Sequence, residues 1–284
     1  NKISEIPLPC ELKDTYKAAL RIKTAIEENQ RIAVVGDYDV DGIVSTVIMS
    51  DFFNQIGADY VIKIPNRFTD GYGLNSEIIG ELEDVDLIIT VDNGTSATEA
   101  AEICAQKGID LIITDHHMPP PVLPRAYAII NPKQSDCTFP NIEICGAQVA
   151  WYLVGALKET LGVNYDMASS MDILIIAIIA DMMELRDMNR ALLRFGIKRL
   201  NSSNRACFNL NSCGESGIDS FYGLLENSTQ KSRIAHLLQL MVLLLIRINR
   251  PHHLQAQQDA QRRERNDLDS TGIHCVKGDR AFRF

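Results

Sequence analysis

Short β-rich apolar runs alternating with helical segments constrain this chain more than any other feature. The pattern predicts strands over 32–35, 60–64, 86–91, 110–114 and 127–130. Between them, apolar residues at helical spacing predict helices over 14–30, 43–53 and 96–106. Runs such as Ile32-Ala-Val-Val35 have no polar residue at alternate positions, so both faces of the strand must be covered. Strands separated by helices form βαβ units. The expected class is therefore α/β, a mostly parallel sheet with helices on both faces.

Past Ile144 the pattern turns helical, over 147–161, 167–183 and 189–200. Residues 1–200 are accordingly expected to form one α/β domain. The stretch 201–230 opens on a segment rich in Asn, Ser and Cys and reads as a linker or loop. Residues 231–284 read as a helical, partly disordered C-terminal segment with a poorly defined tail. The chain opens on Asn1 rather than Met, as a fragment would, and shows no targeting pattern. Its longest apolar run, 237–246, is shorter than the roughly 18 residues of a membrane-spanning helix, so no membrane association is expected. Seven cysteines, an odd number with no C-x-x-C, argue against a disulfide framework or structural zinc and fit a reducing cytoplasm.

Acidic and histidine clusters fall where the predicted strands end. Asp37, Asp39 and Asp41 follow the first strand, Asp92 follows 86–91, and Asp115, His116 and His117 follow 110–114. The carboxyl ends of parallel strands share one rim, where ligands bind, so clusters distant in sequence should converge there. If the backbone stays extended, the i, i+2, i+4 spacing turns Asp37, Asp39 and Asp41 to the same side. Crowded carboxylates repel one another, and divalent cations relieve that repulsion. Oxygen and imidazole ligands without a thiolate suit Mn²⁺ or Mg²⁺. Two ions bridged by a carboxylate are suited to phosphoryl chemistry.

Competing motifs are weaker. Asp37-Tyr-Asp-Val-Asp-Gly42 matches half of a calcium loop, but Ile48 occupies the twelfth position and a strand precedes the loop. No P-loop, dinucleotide fingerprint or G-x-S-x-G is present.

Val35-Gly-Asp-Tyr-Asp-Val-Asp-Gly42, Val91-Asp-Asn-Gly94, Asp115-His-His117 and Ala180-Asp181 with Asn189-Arg190 resemble, in order and spacing, the four motifs of the DHH phosphoesterases. Within that family the chain is most similar to the RecJ exonucleases, through Gly36-Asp-Tyr-Asp39, Pro65-Asn-Arg-Phe68, Asp70-Gly-Tyr-Gly73, Asn131-Pro-Lys133 and Cys145-Gly146. The resemblance implies a metal-dependent exodeoxyribonuclease that degrades single-stranded DNA from the 5′ end, with two Mn²⁺ or Mg²⁺ ions. It implies Asp39, Asp41, Asp92, His116 and Asp181 as metal ligands, with Asp92 bridging the ions. His117 would contact the scissile phosphate, Asp115 would orient the histidine pair, and Asp37 would ligate or support the site. Arg67 and Lys133 would meet the substrate backbone.

The family's Gly-Gly-rich substrate motif is not found after Leu200, and the first 185 residues carry 12 basic and 28 acidic residues, which offers a phosphate backbone little attraction. Two other readings stay open: a DHH enzyme for short oligonucleotides, cyclic dinucleotides or pyrophosphate, and a non-catalytic replication-fork scaffold. The first usually carries a motif-one His where Val35 stands, and the second loses ligands that are all present here.

Overall fold

A computed structural model describes residues 3, 6–66, 71, 73–203 and 205. Strands β1 (Ile32–Val35), β2 (Tyr60–Lys63), β3 (Leu87–Val91), β4 (Asp110–Thr114) and β5 (Ala128–Ile130) form one sheet in the order β2-β1-β3-β4-β5. Every pairing is parallel. The chain runs outward from β1 to β2, then returns to build β3 on the other side of β1. The ends of β1 and β3 thus flank a topological switch point, where a crevice opens in such sheets.

Helices cover both faces. On one face lie α1 (Thr15–Glu27), α2 (Val40–Ile56), α5 (Gly146–Leu161) and α6 (Met171–Ala180), packed on Ile32, Val34, Leu87, Ile89 and Ile112. On the other, α3 (Ser76–Glu81) and α4 (Thr98–Lys107) bury Ile78, Ile79, Ala101 and Cys104 against Ala33, Val35, Ile88, Leu111 and Ile113. Alternate residues of each strand serve opposite cores, which is why the runs are uniformly apolar. A seventh helix, α7 (Asp187–Asn201), packs on α6 through Met188 and Leu192.

The α/β class and the two-sided covering are as the sequence predicts. Three expectations change. Asp37, Asp39 and Asp41 do not lie on one extended stretch. Asp39 caps α2, its side chain accepting from the Gly42 N–H, and Asp41 already belongs to the first helical turn. The six-residue α3 is not anticipated. The expected 167–183 helix is a short 3₁₀ turn, Met167–Ser170, followed by α6, which stops at Ala180.

The expected linker begins differently too. α7 continues to Asn201, and Arg205 is tied by ion pairs to Asp51 and Asp172. Residue 204 and residues 206–284 lie outside the described residues. Among the described residues, no helix is long and apolar enough to cross a membrane.

Candidate metal centre

The candidate ligands sit at element boundaries, with Asp39 and Asp41 at the start of α2. Asp37 follows β1, Asp92 follows β3, Asp115-His116-His117 follow β4, and Asp181 ends α6. Asp92 adopts a left-handed backbone, φ 62°, which non-glycine residues rarely hold unless their surroundings impose it. Asn93 supplies part of that constraint. Its Nδ2 donates to the carbonyls of Val35 and Val91, joining the ends of β1 and β3, and its Oδ1 accepts from the Leu74 N–H.

Three groups of side chains have potential ligand atoms within 4.8 Å of one another: Asp37 with Asp39 and Asp92; Asp41 with His116 and Asp181; and Asp92 with His116 and His117. Asp92 and His116 each belong to two groups. Nε2 of His116 lies 3.2 Å from Asp92 Oδ1 and 3.6 Å from Oδ2 of both Asp41 and Asp181. Asp92 Oδ1 and Asp181 Oδ2 are buried with no hydrogen-bond partner. One imidazole proton cannot satisfy three carboxylates, and unpaired buried acids are costly. A divalent cation fits this donor set of oxygens and one imidazole nitrogen.

Electrostatics express the same crowding. Burial raises Asp41 to about 6, with Asp181 adding to the rise. Burial likewise raises Asp181 to about 6, with a contribution from Asp39. Asp92 is pushed well above the ordinary carboxylate range, first by burial and then by Asp41, Asp39, Asp115 and Asp37. His116 is lowered by its burial.

Asp115 behaves differently because it is fully supplied with donors. One oxygen accepts from the backbone N–H of His116 and His117 and pairs with Nδ1 of His117 at 2.7 Å; the other accepts from Thr95 N–H. Against the cost of burial, these contacts, His117 foremost, hold it at about 2. The reciprocal bond raises His117, whose side chain is half exposed while that of His116 is almost fully covered. Asn131 braces the turn, its Nδ2 donating to Thr95 Oγ1 and the His117 carbonyl.

Sequence reasoning missed the start of α5. The N–H groups of Gly146 and Ala147 donate to the two oxygens of Asp41 at 2.6 and 2.8 Å, so the positive end of α5 clamps that acid. Gly146 also lies against Asp92, and a Cβ there would stand 2.6 Å from the Asp92 Cβ. The Cys145-Gly146 pair was a visible signal, but its partners lie far away in sequence. Lys133 is largely covered, with Nζ 3.7 Å from Glu143. Arg67 lies outside the described residues.

The model of the DHH family, N-terminal domain, matches residues 31–180. The single-stranded-DNA-specific exonuclease RecJ of Bacillus subtilis (strain 168) is 41% identical over 199 residues, covering 69% of this chain and 25% of that protein. The chain thus spans about a quarter of the length of this relative. A crystal structure of exonuclease RecJ bound to manganese superposes with a TM-score of 0.66 at 30% identity, covering 89% of this chain and 69% of that one. RecJ from Thermus thermophilus matches in its Mn²⁺ complex with a TM-score of 0.63 at 28% identity, covering 89% of this chain and 40% of that one. Its Mg²⁺ complex gives a TM-score of 0.53 at 25% identity, with 89% and 36% covered. Because the family model matches more than half of the chain, the chain belongs to the DHH family.

Proposed function

We propose that this chain is the catalytic core of a metal-dependent exonuclease that hydrolyses single-stranded DNA from its 5′ end. The observation that carries the proposal is the sharing of Asp92 between ligand groups, as a carboxylate bridging two ions requires. In this reading Asp39, Asp41, Asp92, His116 and Asp181 hold two Mn²⁺ or Mg²⁺ ions, with Asp37 supporting them. The relatives that carry these metals in their structures support the choice.

Bound there, the ions supply Lewis-acid polarisation of the phosphate and lower the pKa of water. The protein's own residues do the positioning. Gly146 and Ala147 fix the Asp41 carboxylate, and the left-handed turn at Asp92 aims that side chain into the crevice. With Nδ1 engaged by Asp115, His117 meets a phosphate oxygen through Nε2, and its raised pKa keeps it a donor to higher pH. Lys133 adds positive charge near the site and Arg67 would add more. The free cysteines among the described residues suit a reducing cytoplasm.

The test is degradation of 5′- and 3′-labelled single strands, duplexes and dinucleotides with and without Mn²⁺. The proposal expects Mn²⁺-dependent release of the 5′ label from single strands. Hydrolysis of dinucleotides alone would assign the site to short substrates, and no turnover by a Mn²⁺-loaded protein would assign it to a scaffold.

A further inference from the structure

Helix α2 carries Asp41 in its first turn and Asp51 ten residues on, and α6, running antiparallel to it, carries Asp172 in its first turn and Asp181 at its C-cap. At the crevice end Asp41 and Asp181 face the same His116 nitrogen, each at 3.6 Å. At the far end Asp51 of α2 and Asp172 of α6 share a single guanidinium. Nη2 of Arg205 lies 2.7 Å from Asp51 Oδ2, and its Nε lies 3.2 and 3.3 Å from the two oxygens of Asp172. All three side chains are largely covered: Arg205 is 18%, Asp51 21% and Asp172 7% exposed. Ser203 completes the cluster by donating to Asp172.

Without a cation, the two acids would repel each other across the α2–α6 contact. Removing the guanidinium takes from Asp172, a largely covered acid, its ion-pair partner. A parting of α2 and α6 relieves that repulsion. Each helix is a stiff rod, and its two acids lie roughly 13 to 15 Å apart along the axis at about 1.5 Å per residue. A displacement at Asp51 and Asp172 is therefore transmitted to Asp41 and Asp181, whose separation sets the geometry of the ligand group.

Resting on the metal-centre reading, we infer that Arg205 is a positioning residue for that centre, clamping α2 to α6 at the end opposite Asp41 and Asp181. It comes from the stretch that follows α7, so the clamp is supplied by chain lying outside the βαβ core. Such coupling is reciprocal: what strengthens the clamp strengthens metal binding, and metal binding strengthens the clamp.

The experiment measures Mn²⁺ affinity by calorimetry, with thermal unfolding alongside, for the full chain and three variants. Arg205→Ala is expected to bind Mn²⁺ about tenfold more weakly, within the usual range of coupling between sites. Arg205→Lys keeps the charge but cannot span both acids in the same way, and should fall between the two. Adding Asp172→Asn to Arg205→Ala removes the repulsion and should recover most of the lost affinity. A residue with a merely structural role would shift the unfolding temperature and leave the affinity of the folded protein unchanged. Should Arg205→Ala not fold, the Lys variant decides: affinity equal to the wild type overturns the inference. It is equally overturned if the double variant binds no better than Arg205→Ala. If the wild type itself binds no Mn²⁺, the metal-centre reading falls, and this inference with it.

Discussion

Asp115 pairs with His117, Oδ1 to Nδ1 at 2.7 Å, while the neighbouring His116 turns its Nε2 to Asp92, Asp41 and Asp181. The proposed function gives these consecutive histidines different roles, although both come close enough to Asp92 to share a ligand group. His116→Ala should lose metal. His117→Ala should keep its metal and slow turnover by roughly a hundredfold or more, the scale of losing a transition-state contact. Metal analysis of the two variants checks this, and equal metal loss in both would place His117 among the ligands.

The close approach of Gly146 to Asp92 gives a second prediction. Gly146→Ala forces a methyl group against a buried carboxylate at the start of α5. The expected cost in stability is about 1–3 kcal/mol, as for other overpacked sites. Mn²⁺ affinity should fall as well, because both Asp92 and the Gly146 N–H contact with Asp41 are displaced. Denaturant unfolding and Mn²⁺ titration measure the two effects; a variant that matches the wild type in both would show that the crevice is looser than the Gly146–Asp92 approach requires.

Much of this was legible in the sequence. The bounds of β1 and β4 follow from apolar runs alone, and the acids that close them lie where parallel strands end. The placing of Asp41 was not legible from periodicity. A period-two reading assumes that the chain stays extended, but capping by Asp39 turns it into a helix soon after β1 ends. Nor could spacing disclose that Asp41 is held by α5, since the contact with Gly146 spans 105 residues. Arg205 was hidden for another reason: a polar stretch without periodicity reads as a linker whether or not one of its side chains is anchored. The helix α3 is too short for periodicity to announce.

Protonation of the crevice sets a pH dependence. Asp41 and Asp181 are raised to about 6 in the metal-free site, and a carboxylate must be deprotonated to bind metal. Mn²⁺ affinity should therefore fall as pH drops through about 6. A raised carboxylate pKa also means that the folded metal-free protein binds protons more tightly than the unfolded chain does. These groups then stabilise the metal-free fold as pH falls from 7 towards 5. The Mn²⁺-induced rise in Tm should shrink over that interval. A rise unchanged between pH 5 and 7 would contradict the assignment of both acids as ligands.

Charge governs how the substrate is held. With 28 acidic and 12 basic residues in the first 185, that part of the chain is expected to offer few phosphate contacts beyond the proposed metal centre. Few contacts give weak binding and a shallow salt dependence. Cleavage of long single strands should be distributive, with duplex a poor substrate. A time course with excess unlabelled trap added after binding tests this. Processive degradation through the trap would mean that residues 206–284 supply a strand-binding surface.

On the proposed function, a metal pair bridged by Asp92 performs the hydrolysis. The most direct measurement follows release of a 5′ label from single-stranded DNA by wild type and Asp92→Ala, first in chelator and then with Mn²⁺ or Mg²⁺ restored. Wild type should be inactive in chelator and recover with either ion. Asp92→Ala should stay inactive throughout and be the most damaging of the single ligand substitutions, since the bridging carboxylate serves both ions. Undiminished hydrolysis in chelator, or substantial activity in Asp92→Ala, would contradict the two-metal centre.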